Sequence, residues 1–387
     1  VRATGTEQQR GTSDVLVIGA GPAGAAAGIT LARRGVRVTV VDRAVFPRDK
    51  TCGDAVSNDG LELLGRLGAS AATTVAPHAV VARAAAVFPD GTRITREYDR
   101  PGAIIPRYHL DDCLKRALVD AGATVLEGVA VDRLARDGER FSGASGPAFS
   151  WSAAVVIAAD GYGSIGQKAL GQGRPRGRHL AVSSTAYYRG VDFPHGADTA
   201  DHYFEQELPY GYGWIFPAVD GKANVGVYLR SDGYERTGRK LKDLMDDFLK
   251  RRGDRLGRAQ PVGSPRVWSL PLAPRPTPIA APGLLLTGDA ANLVDPLTGE
   301  GIWQALHAGI AAGDVAADAV RQGGLDASLA ARYEDTCARD IARPSRGKAF
   351  VQRAMLEIVE RRLYENTWIR RALAFGYEHR ALEMTKS

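Results

Sequence analysis

Cysteine, methionine and long apolar runs are scarce in this chain. Three cysteines among 387 residues, Cys52, Cys113 and Cys337, are too few and too scattered for a disulfide framework or a zinc site. No metal is therefore expected, and a reducing, cytoplasmic setting is. No run of about eighteen apolar residues occurs, so no segment is expected to span a membrane. The opening stretch VRATGTEQQRGTSD has no apolar core; it predicts a frayed polar lead-in and no signal peptide. Basic blocks interleaved with aromatics are also missing, which argues against a nucleic-acid partner. The net charge of +6 reads as a solvated surface with a mild preference for anions, such as a phosphate-bearing cofactor, a diphosphate or a lipid surface.

What is present is an ordinary globular composition, 44% hydrophobic and 24% charged, with 45 glycines. The length predicts one large or two interleaved domains. Residues 14–20, DVLVIGA, form a short apolar run with β-branched residues, expected to be a buried strand. An Ala-rich helix follows and stops at Gly35, and VRVTVVDR (36–43) is a second strand, completing a parallel βαβ unit. Further on, 80–100 reads as a hairpin turning at Asp90-Gly91, 108–122 as an amphipathic helix and 153–161 as a buried strand. Longer strands between 180 and 270 predict a mainly antiparallel sheet, and the chain beyond about 327 reads as helical.

Gly19, Gly21 and Gly24 form G-x-G-x-x-G where the first strand meets its helix. Gly19 permits the tight turn, Gly21 admits a pyrophosphate to the backbone, and Gly24 lets helix and strand pack closely. The pyrophosphate would meet the N-terminal amides of the helix. Asp42, followed by Arg43, ends the second strand, where a carboxylate can accept hydrogen bonds from ribose hydroxyls. That pattern predicts a dinucleotide and leaves NAD and FAD both open, with NADP disfavoured by the acid.

Two further segments bear on the choice: VIAADGYGSIG (156–166), with Asp160-Gly161, and LLLTGDAANLVDPLTGEGIWQAL (284–306), with Gly288-Asp289. Together with the first motif they resemble the FAD-binding fold of the glutathione-reductase type, shared by aromatic hydroxylases, flavin halogenases and geranylgeranyl reductases. The likeness runs from about 14 to 320. It implies that FAD is the cofactor and that Asp289 bonds its ribitol chain. It also implies that the loop from Pro296 through Gly299 to Gly301, with the helix from Ile302, sits against the flavin, and that Arg107 contacts the cofactor.

Two stretches point to a branch. FPRDKTCGDAVS, with Cys52-Gly53 and Ser57, and YGWIFP (212–217) resemble the geranylgeranyl reductase family more than the halogenases. On a strand Tyr212, Trp214 and Phe216 share one face. Spacing alone would make them the core face of the inserted sheet; the resemblance makes them the lining of a cavity for a hydrocarbon chain. Gln167 and Lys168 stand where aromatic hydroxylases often carry an arginine motif.

The fold implied is α/β: a Rossmann-type FAD-binding domain (12–80, 100–170 and 271–326), an inserted, mainly antiparallel β-sheet substrate domain (81–99 and 171–270) and a C-terminal helical region (327–387). The activity implied is an FAD-dependent reduction of carbon–carbon double bonds in a prenyl chain, with hydride from flavin N5. The alternative is an FAD-dependent monooxygenase, or less favourably a halogenase, acting on a natural-product intermediate. Cys52, Tyr212 and Trp214 are the catalytic candidates, with Cys52 as a neutral donor or packing group, since an apolar site keeps a thiol protonated. No second nucleotide fingerprint appears, so the electron donor is external: NAD(P)H, a ferredoxin or reduced flavin. The aromatic tail 350–377 is expected to cap the substrate domain, with peripheral membrane contact as the other reading. His307 is expected to be structural.

Overall fold

Two eight-stranded sheets carry the chain in the computed structural model, which describes residues 9–378. Five strands of the first sheet are mutually parallel, in the order Leu284–Leu286, Phe149–Ala158, Gln9–Ile18, Val38–Asp42 and Thr124–Glu127. Parallel strands are covered on both faces, so their sequences run apolar without alternation. Val15, Leu16, Val17 and Val155, Val156, Ile157 are all fully buried. The helices Pro22–Arg33, Arg107–Asp120 and Ile302–Arg321 supply the cover.

The first strand begins earlier than the apolar run suggests. Gln9–Ser13 pair in parallel with Phe149–Ala153, the Trp151 ring lies over Gly11, and Trp151 Nε1 donates to Ser13 Oγ at 3.0 Å. A polar segment is held there by a ladder and one indole, which no hydrophobic period announces. Of the expected frayed lead-in, residues 1–8 lie outside the described residues. The stretch 123–137 holds two separate strands. Thr124–Glu127 stays in the parallel sheet, and Arg133–Asp137 pairs with Arg140–Gly146 after a break at Gly128, where φ is +74°.

The second sheet runs Gln260–Pro271, Leu180–Arg189, Lys222–Arg230, Gly211–Pro217, Thr199–Tyr203, Ala79–Val87, Arg93–Ile104 and Ala55–Val56. Every pairing is antiparallel except that of Thr199–Tyr203 with Ala79–Val87. Its edge strand, Ala55–Val56, directly follows the Cys52 turn. This places that turn at the seam between the two sheets.

Three α-helices close the described residues, Ala327–Cys337, Arg343–Glu360 and Thr367–Glu378. The first is pinned to the parallel sheet by Tyr333, whose hydroxyl donates to the Leu286 carbonyl at 2.6 Å. The other two pack on the second sheet through Val359 and Leu373, with Tyr364 from the turn between them, against Phe88 and Ile94. Among the described residues no helix is long and apolar enough to cross a membrane, and no group of acidic, histidine or cysteine side chains could hold a metal ion.

Candidate active site at the seam of the two sheets

A cavity of about 1090 Å³ runs from the glycine-rich turn, past the Cys52 loop, to the helices at the C-terminus. Gly19, Gly21, Asp42, Arg43, Asp160, Gly161 and Asp289 line its first part. Two glycines of the turn leave different kinds of space around them. A Cβ on Gly24 would lie 1.8 Å from the Gly19 carbonyl oxygen, so only glycine lets the helix close on the strand. A Cβ on Gly21 would meet no protein atom nearer than Arg48 Nη2 at 3.8 Å, so the space beside it is open to a ligand. Asp42 holds the turn, its carboxylate accepting Ala20 N–H and Ala44 N–H at 2.8 Å each.

Asp160 Oδ2 accepts Ile165 N–H at 2.7 Å, whereas its Oδ1 is buried without a hydrogen-bond partner. A buried orphan acceptor costs free energy unless something donates to it, and FAD hydroxyls or ring N–H groups fit that need. Burial raises the Asp160 pKa. The helix Ile302–Arg321 opens on the cavity through Gly301 and Ile302, presenting its free N–H groups and positive end. Gly299, at φ +69°, also lines the wall.

Gly24, Gly288 and Pro296 stand behind that wall. A Cβ on Gly288 would meet Ala23 Cβ at 2.9 Å, and the Pro296 carbonyl accepts the Tyr228 hydroxyl at 2.9 Å and Gln352 Nε2 at 2.6 Å. Arg107 reaches the cavity but is 4% exposed and gripped by Asp111, with Nε–Oδ1 at 2.7 Å and Nη2–Oδ2 at 2.8 Å. Arg48 Nη1 shares that carboxylate at 2.8 Å. The second and third motifs are joined by Gln167, whose Nε2 donates to the Ala290 carbonyl at 2.9 Å, and Lys168 lines the cavity. His307 lies elsewhere, stacked on Trp303 and paired with Asp340 at 3.0 Å.

The cavity's second part is apolar and aromatic. Tyr212, Trp214 and Phe216 form one wall, and their cross-strand partners are Tyr228, Gly226 and Asn224. A Cβ on Gly226 would sit 2.4 Å from the Trp214 ring, so glycine lets the indole lie flat across the neighbouring strand. The wall is both core and lining: all three aromatics are at most 7% exposed. Val81, Ala86 and Ile94 extend the lining, and Val351, Met355, Leu373 and Tyr377 close it from the C-terminal helices.

The wall is tied to the loop after Asp289. The Tyr212 hydroxyl donates to the Thr298 carbonyl, Lys348 pairs with buried Asp295, and Ser57 Oγ donates to Glu300 Oε1 at 2.6 Å. Burial raises the pKa of Glu300 and lowers that of His202, on the same wall, to about 4.

Cys52 lines the cavity where the two parts meet. Burial, then the Asp54 charge, raises its thiol pKa. Asn224 fixes the turn: its Nδ2 donates to the Cys52 carbonyl at 2.9 Å and to Asp54 Oδ2 at 3.0 Å, and its Oδ1 accepts Trp214 Nε1 at 2.9 Å and Thr185 Oγ1 at 2.8 Å. Asn224, Asp54 and Tyr187 were not singled out by sequence patterns. Asp54 alone had a signal, its place directly after Cys52-Gly53.

Residues 12–343 match the family described as FAD binding domain. Menaquinone reductase of Mycolicibacterium smegmatis is 31% identical over 326 residues, 81% of this chain and 77% of the relative. Digeranylgeranylglycerophospholipid reductase 2 of Methanopyrus kandleri is 32% identical over 342 residues, 83% and 81% of the two chains. The crystal structure of a geranylgeranyl bacteriochlorophyll reductase-like protein from Thermoplasma acidophilum superposes with a TM-score of 0.80 at 24% identity, covering 90% of this chain and 88% of that one. The flavin-dependent brominase Bmp2 has the same fold, with a TM-score of 0.74 at 20% identity over 95% and 93% of the two chains. Sequence kinship therefore separates what fold alone does not. The glycine turn, the orphan acceptor at Asp160 and kinship along most of its length agree that the chain belongs to the geranylgeranyl reductase family of FAD-dependent oxidoreductases and takes FAD as its cofactor.

Proposed function

We propose that the chain saturates carbon–carbon double bonds in the prenyl chain of a hydrophobic lipid. The observation that carries this reading is the continuity of an aromatic, apolar chamber with the dinucleotide groove, so that an alkene can lie beside the flavin. Reduced FAD supplies hydride from N5. On this reading Gly19, Gly21 and the helix from Pro22 hold the pyrophosphate, Asp42 the ribose, and Asp160 and Asp289 the polar groups toward the ring. An isolated alkene is a poor hydride acceptor, so the chamber acts by orientation and by excluding water. Tyr212, Trp214 and Phe216 hold the chain flat, and Cys52 packs at the junction as a neutral thiol.

The lipid class is that of the relatives' substrates, a prenylated phospholipid or quinone. The reductant is external, NAD(P)H, a ferredoxin or free reduced flavin. Peripheral contact with a membrane is supported by exposed Phe350 and Trp368 on the helices whose other residues line the chamber. The domain division at 80/81, 99/100, 170/171 and 270/271 follows the same reading, with the active site at the seam.

The test is optical. Holoenzyme reduced with one equivalent of dithionite under argon is mixed, in detergent, with digeranylgeranylglycerophospholipid or with menaquinone whose ring has first been reduced to the quinol. Return of the oxidised-flavin spectrum at a rate that saturates with lipid is expected. A spectrum that stays bleached with both lipids contradicts the reading.

A further inference from the structure

Saturating an alkene consumes a proton as well as a hydride, and few groups in this cavity can give one. His202 is neutral near pH 7, its pKa lowered to about 4 by burial, and its Nδ1 has no partner. The hydroxyls of Tyr212 and Tyr228 already donate to carbonyls of the flavin loop. Glu300 is engaged by Ser57 on that loop.

Asp54 differs. It lines the cavity two residues after Cys52, is 2% exposed, and adopts φ +62°, a conformation that non-glycine residues rarely take. That backbone turns the carboxyl into a set of donors from three separate elements. Oδ1 accepts Arg107 N–H at 3.3 Å from the start of a helix. Oδ2 accepts Asn224 Nδ2–H at 3.0 Å from the sheet and also accepts the Tyr187 hydroxyl. Tyr187 is half-buried and outside the cavity lining, so Asp54 stands between this phenol and the chamber.

We propose that Asp54 is the proton donor to the substrate carbon, with Tyr187 passing solvent protons to it; this rests on the alkene-reductase reading above. In the step the Asp54 O–H bond breaks as a C–H bond forms at one alkene carbon. The other carbon takes hydride from the reduced flavin, which is thereby oxidised, and the double bond becomes single. The carboxylate left behind is held by the Arg107, Asn224 and Tyr187 donors until it is reprotonated.

Electrostatics agree with the geometry. Burial raises the Asp54 pKa to about 7, against the opposing pull of Tyr187, Arg107 and Asn224. The other charged or titratable groups nearby are Cys52 and Lys50 on its own loop and Asp111 behind Arg107. A carboxyl with this pKa is protonated below neutrality and loses its proton as pH rises through about 7.

The experiment compares wild type, Asp54→Asn and Tyr187→Phe as holoenzymes. Asparagine keeps the shape and tolerates positive φ, so the fold and bound FAD are expected to survive. Infrared difference spectra report the protonated carboxyl directly, and anaerobic single-turnover flavin oxidation by a prenyl lipid reports the step. Wild type is expected to lose the carboxyl band and the rate together as pH rises through about 7. Asp54→Asn is expected to lack the band, to keep FAD and its reduction, and to turn over about 100-fold slower or worse with a flat pH profile. Tyr187→Phe removes a donor to the carboxylate and is expected to move both midpoints upward, which loss of packing alone would not do. Asp54→Asn at the wild-type rate beside an active wild type overturns the proposal alone, as does a band absent below pH 7. Wild type inert toward every prenyl lipid overturns the reductase reading and the proposal with it.

Discussion

Cys52 and Asp54 sit two residues apart at the junction of groove and chamber, and different physics decides what each does. The Cys52 thiol is held protonated by burial, and its backbone carbonyl is anchored by Asn224. Cys52→Ala is expected to keep stoichiometric FAD and lower turnover by about tenfold through loss of substrate positioning; full activity removes Cys52 from the account. Asp54 also governs stability. Its folded pKa of about 7 lies above the ordinary carboxyl value of 3.8, so between these values the native state holds the proton more tightly and stability falls as pH rises. Asp54→Asn has no such loss, and thermal melts are expected to show it more stable than wild type at pH 8, with the advantage shrinking toward pH 5. An advantage that grows toward pH 5 contradicts this.

At this scale the sequence disclosed Cys52 and concealed its supports. Asp54 is bonded by Tyr187 and Asn224, 133 and 170 residues away, and no local pattern predicts such pairings.

Among the elements, the glycine-rich turn separates binding from folding. Gly21→Ala meets no protein atom within 3.8 Å, so the apoprotein is expected to melt normally while FAD affinity drops steeply. Gly24→Ala drives a Cβ into the Gly19 carbonyl and is expected to lower apoprotein stability by about 1–3 kcal/mol or more. Calorimetry of the apoproteins and fluorescence titration with FAD distinguish them; equal melting of the two variants contradicts the argument. Gly226→Ala is expected to tilt the Trp214 indole, raising KM for long prenyl chains more than for short ones.

Period-two reading found the aromatic strand because Tyr212, Trp214 and Phe216 alternate with Gly213 and Ile215, which face the other core. It had no access to Gly226, whose role exists only through the Trp214↔Gly226 register. The strand over Gln9–Ser13 was invisible for the same reason: its apolar cover is Trp151, far along the chain.

In the whole molecule, the C-terminal helices lend the chamber its far wall and also clamp the loop after Asp289. Gln352 donates to the Pro296 and Tyr210 carbonyls, and Lys348 pairs with Asp295, which is 1% exposed. Lys348→Met leaves the buried Asp295 carboxylate without its cation, held by the Leu297 and Thr298 N–H groups, and is expected to cost about 2–3 kcal/mol, with the spectrum of bound flavin altered although the lysine belongs to another element. An unchanged melting temperature and spectrum would show that the clamp is inert. The overall architecture was legible from three FAD motifs in order, because each needs a strand end beside a helix start. The cap was legible only as an amphipathic helix. That it closes the chamber through Val351, Met355, Leu373 and Tyr377 is a matter of tertiary placement.

The central claim is that a prenyl alkene is reduced in the chamber beside the flavin. Mass spectrometry of the lipid after an anaerobic turnover with reduced holoenzyme tests it most directly. The account predicts a gain of whole hydrogen pairs and no oxygen, much reduced in Gly21→Ala, whose affinity for FAD is expected to drop steeply. A prenyl lipid recovered unchanged, while an aromatic substrate gains oxygen under air, would contradict it.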